Sequence, residues 1–73
     1  ERSFFVMLNA SLSLEWFQIP VLPDQGRWLR IIDTARSAPL DIVPVGEGVP
    51  LKTSRVSVKG MGAVVLVSEN KNA

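Results

Sequence analysis

The carboxylates are the side chains with the greatest chemical potential in this chain, because it contains no His and no Cys. Two carboxyl groups about 5–9 Å apart can cleave a glycosidic bond, one as the acid and the other as nucleophile or base. The seven acids lie apart along the chain, at Glu1, Glu15, Asp24, Asp33, Asp41, Glu47 and Glu69. No spacing or motif singles out a pair, so the sequence predicts no catalytic residues in this segment.

Metal and cofactor sites are not predicted either. Without Cys and His the chain can form no disulfide and lacks the usual zinc ligands. Gly46-Glu47-Gly48 and Gly60-Met61-Gly62 have neither the Lys nor the helix that phosphate-binding loops require. We interpret both glycine pairs as turns and expect no metal ligands and no cofactor.

Two tryptophans are the candidates for a ligand contact. Trp16 and Trp28 carry aromatic faces on which sugar rings can stack, and they would share a face if their strands were neighbours. Large aromatic side chains are usually highly buried. We therefore favour a place in the core or in a domain interface for both, with sugar contact as the alternative.

Two short motifs have a simpler interpretation than a functional one. Asp33-Thr34 follows an apolar strand, and such side chains commonly accept hydrogen bonds from the backbone N–H groups of a turn. Asn9-Ala10-Ser11 matches the N-glycosylation sequon, but nothing else in the sequence indicates secretion. We expect both motifs to be turns.

Composition limits the possible partners. A chain of 73 residues makes one domain at most, and its net charge of +1 comes from basic and acidic residues that are intermixed. This is not the basic patch of a nucleic-acid-binding protein, so we expect no nucleic-acid partner. The longest apolar runs fall far below the ~20 residues that span a bilayer, so we expect no membrane partner.

The elements that must position these residues are short strands. Apolar or alternating runs between turn-forming residues predict strands at residues 4–8, 14–19, 27–33, 52–58 and 63–67, with a short extended piece at 41–43. Turns are expected at 23–26 and 59–62. No stretch has a sustained period of 3.6 residues. The sequence therefore predicts an all-β fold, a small antiparallel β-sandwich or open barrel of five to six short strands.

The first and last predicted strands, residues 4–8 and 63–67, are apolar on both faces. In so small a domain only one face of each strand can meet the internal core, and the other needs a second cover. We expect this domain to pack against a larger body, with a homodimer through the same face as the alternative. Because the chain does not begin with Met, we also expect it to be a fragment of a longer protein.

The order of these motifs resembles a known family. The resemblance lies in Phe5-Val6-Met7-Leu8-Asn9-Ala10-Ser11, then Phe17-Gln18-Ile19-Pro20, then Arg27-Trp28-Leu29-Arg30-Ile31-Ile32-Asp33-Thr34-Ala35, and finally Ala63-Val64-Val65-Leu66-Val67. Together they resemble the C-terminal β-domain of isoamylase-type glycogen and starch debranching enzymes, of the α-amylase superfamily. The resemblance covers almost the whole chain, although the loop 36–52 matches only in position.

The resemblance implies a specific role. Residues 1–73 would form one C-terminal β-sandwich domain that lacks an opening strand or hairpin, with a frayed tail at 69–73. Its partner would be the catalytic (β/α) barrel of the parent chain, which cleaves α-1,6 branch linkages and carries all catalytic acids. The parent would be cytoplasmic, or plastidic if of plant origin. Two alternatives stay open: a small carbohydrate-binding module that contacts a branched α-glucan through Trp16 and Trp28, and an unrelated β-sandwich interaction domain.

Overall fold

Six antiparallel strands in two sheets make up the fold. A computed structural model describes residues 2–22 and 26–69 of the protein. The strands are β1 (Phe4–Asn9), β2 (Glu15–Gln18), β3 (Arg27–Asp33), β4 (Val49–Pro50), β5 (Arg55–Val58) and β6 (Gly62–Glu69). The large sheet has the order β1-β6-β3-β4, and β2 pairs with β5 in a second sheet. The described residues contain no α-helix, only a 3-10 turn at Val45–Glu47. The predicted all-β class with five to six short strands is confirmed.

Some strands begin or end at other residues than predicted, because pairing with a neighbouring strand sets their length. β6 runs on through Glu69, which the sequence assigns to the tail, because β6 is central and its end pairs with Arg27 of β3. The piece predicted at 41–43 is reduced to a single bridge between Ile42 and Ile32. β5 begins only at Arg55, after a bend. Most of the turn predicted at 23–26 and the tail 70–73 lie outside the described residues.

The core lies between the two sheets. Strand β1 contributes Phe5 and Met7, and strand β6 contributes Val64 and Leu66, both fully buried. The small sheet covers them with Val56 and Val58, which share a face of β5 as their alternation predicts. The core is completed by two further buried residues, Ile19 and Trp28, and by the partly buried Phe17, Leu22 and Leu51. Burial of each large apolar side chain contributes about 1.5–3 kcal/mol before the entropy of ordering is subtracted.

A tight turn joins the two sheets between β5 and β6. Met61 adopts a left-handed backbone with φ 53°, and its N–H donates to the carbonyl of Ser11 at 2.8 Å. A Cβ at Gly60 would lie 2.4 Å from the carbonyl oxygen of Leu12, so only glycine fits there. The predicted turn at 59–62 is confirmed, and it holds the loop 10–14 against the start of β6.

Candidate interaction surface

Asp33 forms a turn at the end of β3. Its Oδ1 accepts the N–H of Ala35 at 3.0 Å, and the N–H of Arg36 donates to the Asp33 carbonyl at 3.1 Å. The hydroxyl of Thr34 accepts the N–H of Ala63 at 3.0 Å and so joins the turn to β6. The interpretation of Asp33-Thr34 as turn chemistry is confirmed.

Two arginines flank the same carboxylate. Arg30 Nε lies 3.8 Å and Arg36 Nε 3.7 Å from Asp33 Oδ2. Burial lowers the pKa of Arg30, the neighbouring Arg36 lowers it further, and Asp33 raises it. An arginine nevertheless keeps its proton in proteins, so the site holds two cations and one anion.

Trp28 lies in the core, where the sequence analysis favours it. It is 7% exposed, and its indole N–H donates to the carbonyl of Pro20 at 2.8 Å. Its ring packs against Phe5, with 6.0 Å between the ring centroids. This arrangement satisfies the only polar group of the indole inside the domain.

Trp16 lies elsewhere and is open to solvent. It is 59% exposed on β2, and the guanidinium of Arg55 on the paired strand stacks 5.2 Å from its ring centroid. Trp28 faces the core between the sheets, whereas Trp16 faces away from it. The structure therefore does not bring the two tryptophans together as one platform.

Asn9 is the buried polar residue that the sequence analysis underrated. It is 5% exposed, and its side-chain amide donates to the carbonyls of Ser13, Val58 and Lys59 at 2.8–3.1 Å. Its Oδ1 accepts from the N–H and the hydroxyl of Ser11. Such an amide cannot receive a glycan while the domain is folded, which agrees with the turn interpretation of Asn9-Ala10-Ser11. The sequence signal was an Asn that ends an otherwise apolar strand.

The outer face of the large sheet, opposite the core, is apolar across three strands. Cross-strand pairing places Val6, Val65 and Ile32 in one row, which the bridge extends to Ile42. The neighbouring rows join Phe4, Val67 and Leu29 on one side and Leu8 and Ala63 on the other. We call Phe4, Val6, Leu8, Val65, Ile32 and Ile42 the outer apolar face.

Much of the outer apolar face is open to solvent. Phe4, Val6 and Leu8 are 61%, 56% and 71% exposed, respectively. Leu29 and Val67 on this face are covered, at 4% and 0% exposure, and Gly48 after the 3-10 turn packs against Leu29. The expectation that β1 has an uncovered apolar face agrees with this exposure, whereas β6 is partly shielded between its two neighbours.

β1 is also an unprotected edge of the large sheet. It is the terminal strand in the order of that sheet. Ser68 N–H donates to the Ser3 carbonyl at 2.8 Å, so alternation along the antiparallel pair points the backbone groups of Phe4, Val6 and Leu8 away from β6. Edge strands usually carry Lys, Pro or a bulge against further pairing, and β1 has none of these.

The part of the chain that the structure describes shows no group of three His, Cys, Asp or Glu side chains placed to hold a metal ion. None of its helical segments has the length and hydropathy to cross a membrane. No model of a protein family, no curated protein and no solved structure matches the chain.

Proposed function

We propose that this chain is a non-catalytic accessory domain of an isoamylase-type α-1,6-glucan debranching hydrolase of the cytoplasm or a plastid. Its outer apolar face packs against the catalytic (β/α) barrel of the parent chain and stabilises it. The observation that carries this proposal is the exposure of Phe4, Val6 and Leu8 on one strand.

The exposed side chains of Phe4, Val6 and Leu8 would gain free energy from being covered. Removing a Val, Leu or Phe side chain from water contributes about 1.5–3 kcal/mol each. A contiguous apolar patch on a free monomer usually marks an interaction site. Covering β1 by another body of the same chain also avoids most of the entropy that association of separate molecules costs.

The residues that carry the family resemblance support the same role. The buried Trp28 donates its indole N–H to the carbonyl of Pro20, and Asp33 and Thr34 hold a turn. Asn9 joins β1 to the loop that follows it. Each performs a structural task that keeps the large sheet in shape. A motif set of this kind suits a domain that presents a rigid sheet face to a neighbour.

The proposal predicts a complex with a debranching enzyme from which its own C-terminal β-domain has been deleted. Co-expression with the 73-residue chain should give a 1:1 complex that cleaves branch points in amylopectin, while the chain alone releases no reducing ends. Replacing Phe4 and Leu8 by Ser should weaken the complex at least about tenfold, because two apolar contacts are lost. Isothermal titration and a reducing-end assay measure both effects.

The matched control replaces Leu12 and Val21 by Ser. Both are more exposed than the β1 residues, at 91% and 96%, but they lie in connections outside the large sheet. This variant should bind like the parent chain. Equal weakening by both double variants, hydrolysis by the chain alone, or a stable homodimer through β1 that excludes the barrel would contradict the proposal.

Binding of a branched α-glucan is the second candidate function, and the exposure of Trp16 favours it. An exposed indole presents an aromatic face on which a glucose ring can stack, and the guanidinium of Arg55 beside it supplies hydrogen-bond donors. Trp28 is buried and offers no stacking surface in the folded domain, so the proposal is confined to Trp16.

Titration with a branched maltooligosaccharide tests this second function. In a Trp28→Phe variant, in which only Trp16 fluoresces, millimolar ligand should change the emission by stacking on the indole. Arg55→Ala should weaken the response several-fold, because its guanidinium no longer donates to the sugar. Unchanged emission, or an equal change with unbranched and non-glucan sugars, would reject glucan binding.

A further inference from the structure

A small cavity lies beside the irregular part of β3. The pairing of β3 with β6 shifts register between Arg30 and Ile32, and the cavity opens next to this shift. Arg30, Asp33 and Arg36 supply its polar wall, and Leu40, Val43 and Val49 are among its apolar lining. Its volume of about 60 Å³ exceeds the ~10–15 Å³ that one ordered water needs.

The charge in this cavity is unbalanced. The Arg30 side chain is only 16% exposed, yet among the described residues its five N–H groups find no hydrogen-bond acceptor, and its nearest carboxylate oxygen is Asp33 Oδ2 at 3.8 Å. The same oxygen lies 3.7 Å from Arg36 Nε. One carboxylate thus faces two guanidinium groups, which leaves an excess of one positive charge. No buried side-chain nitrogen or oxygen of the described residues lacks a partner, so the free N–H groups of Arg30 reach solvent at the mouth of the cavity. These donors and the excess positive charge can attract an anion.

The backbone of the cluster and the Asp33 side chain are held in place before any ligand binds. Arg30 is paired on both sides, with Leu66 of β6 and Val49 of β4. Asp33 is fixed by the Ala35 N–H, and the Arg36 backbone is fixed by the Asp33 carbonyl. A ligand would therefore have to order the two arginine side chains but not the backbone that carries them.

We propose that this cavity binds a small oxyanion, and a phosphate group best, between Arg30 and Arg36. Guanidinium groups bind phosphate through charge-assisted, often bidentate hydrogen bonds. A phosphate group offers three strong acceptor oxygens and can therefore bind both guanidinium groups at once, whereas a carboxylate offers two. This inference stands independently of the proposed function, because it uses none of the outer apolar face.

Inorganic phosphate is the probe for the first experiment. It is titrated into the ¹⁵N-labelled chain at constant ionic strength against chloride, and the arginine Nε resonances are followed. The Arg30 and Arg36 signals should shift together with a common Kd of about 1 mM, while Arg27 and Arg55 stay in place. At ten times that concentration the Tm should rise by about 6–10 °C.

Variants locate the site. Arg36→Gln should weaken phosphate binding at least tenfold while the Tm in chloride stays near that of the parent, because the side chain is 48% exposed. Arg30→Gln should weaken phosphate binding by a similar factor. If the Arg30→Gln variant does not fold, the affinity of Arg36→Gln alone tests the proposed site. The matched control is Arg27→Gln, which removes an exposed arginine paired with Glu69 and should bind like the parent. Equal small shifts of all arginines, unchanged affinity in Arg36→Gln, or a response to acetate without one to phosphate would overturn the inference.

Discussion

Replacing Asn9 by Asp is expected to destabilise the domain by about 3–5 kcal/mol, the cost of an unpaired buried charge. The Asn9 amide donates to three backbone carbonyls, of Ser13, Val58 and Lys59. A carboxylate at this position would turn an acceptor toward each of those oxygens. A domain of 73 residues has a free energy of unfolding of only about 4–11 kcal/mol, so this variant should lose roughly half of its stability.

Asn9→Ala separates the lost bonds from the added charge. It should cost about 2–3 kcal/mol, because the two amide N–H groups that serve the three carbonyls are lost in a largely buried place. Urea unfolding followed by circular dichroism measures the free energy of each variant. Ser13→Ala is the control, since Asn9 uses only the backbone carbonyl of Ser13 and its own side chain is exposed. A cost below about 1 kcal/mol for Asn9→Ala would show that water replaces the amide without penalty.

The strands could largely be predicted because local signals agree with the tertiary fold. β3 has the predicted bounds: turn-forming residues precede it, and the Asp33-Thr34 turn that ends it bonds to its own neighbouring backbone. β1 could be assigned from its run of apolar residues, and the same run predicted an uncovered outer face. Both conclusions follow from side-chain alternation alone, which requires no knowledge of the partner strand.

Other features depend on contacts that the sequence does not encode locally. β4 has only two residues, and it exists because Leu29 and Arg30 of β3 offer a pairing edge. The bulge in β3 changes the face of the sheet on which Ile32 lies. No Gly or Pro in this part of the sequence indicates a bulge. For this reason Arg30 could be assigned only to an alternating strand, and its approach to Asp33 and Arg36 could not be foreseen. The two tryptophans likewise could not be sorted into core and surface before the pairing of β2 with β5 was known.

Trp28→Ala is expected to cost about 3–5 kcal/mol, whereas Trp16→Ala should cost less than about 1 kcal/mol. The first substitution empties a core position that is 7% exposed and removes the donor to the Pro20 carbonyl. The second removes an exposed ring and its cation–π contact with Arg55. Urea midpoints at equal m value give the two free energies. Trp28→Phe should lie between them, at about 1–2 kcal/mol, because the apolar ring stays and the hydrogen bond is lost.

The contrast between the two tryptophans can also be measured by fluorescence quenching. If Trp28 is a structural residue, its emission in a Trp16→Phe variant should be blue-shifted and protected from iodide, while Trp16 in the Trp28→Phe variant should be quenched. Equal quenching of both would mean that the core around Trp28 opens readily. Protection of Trp28 alone would indicate that Trp28 on β3 has a structural role in the large sheet. Any stacking of a tryptophan on a glucan would then involve Trp16, which is exposed on β2 of the small sheet.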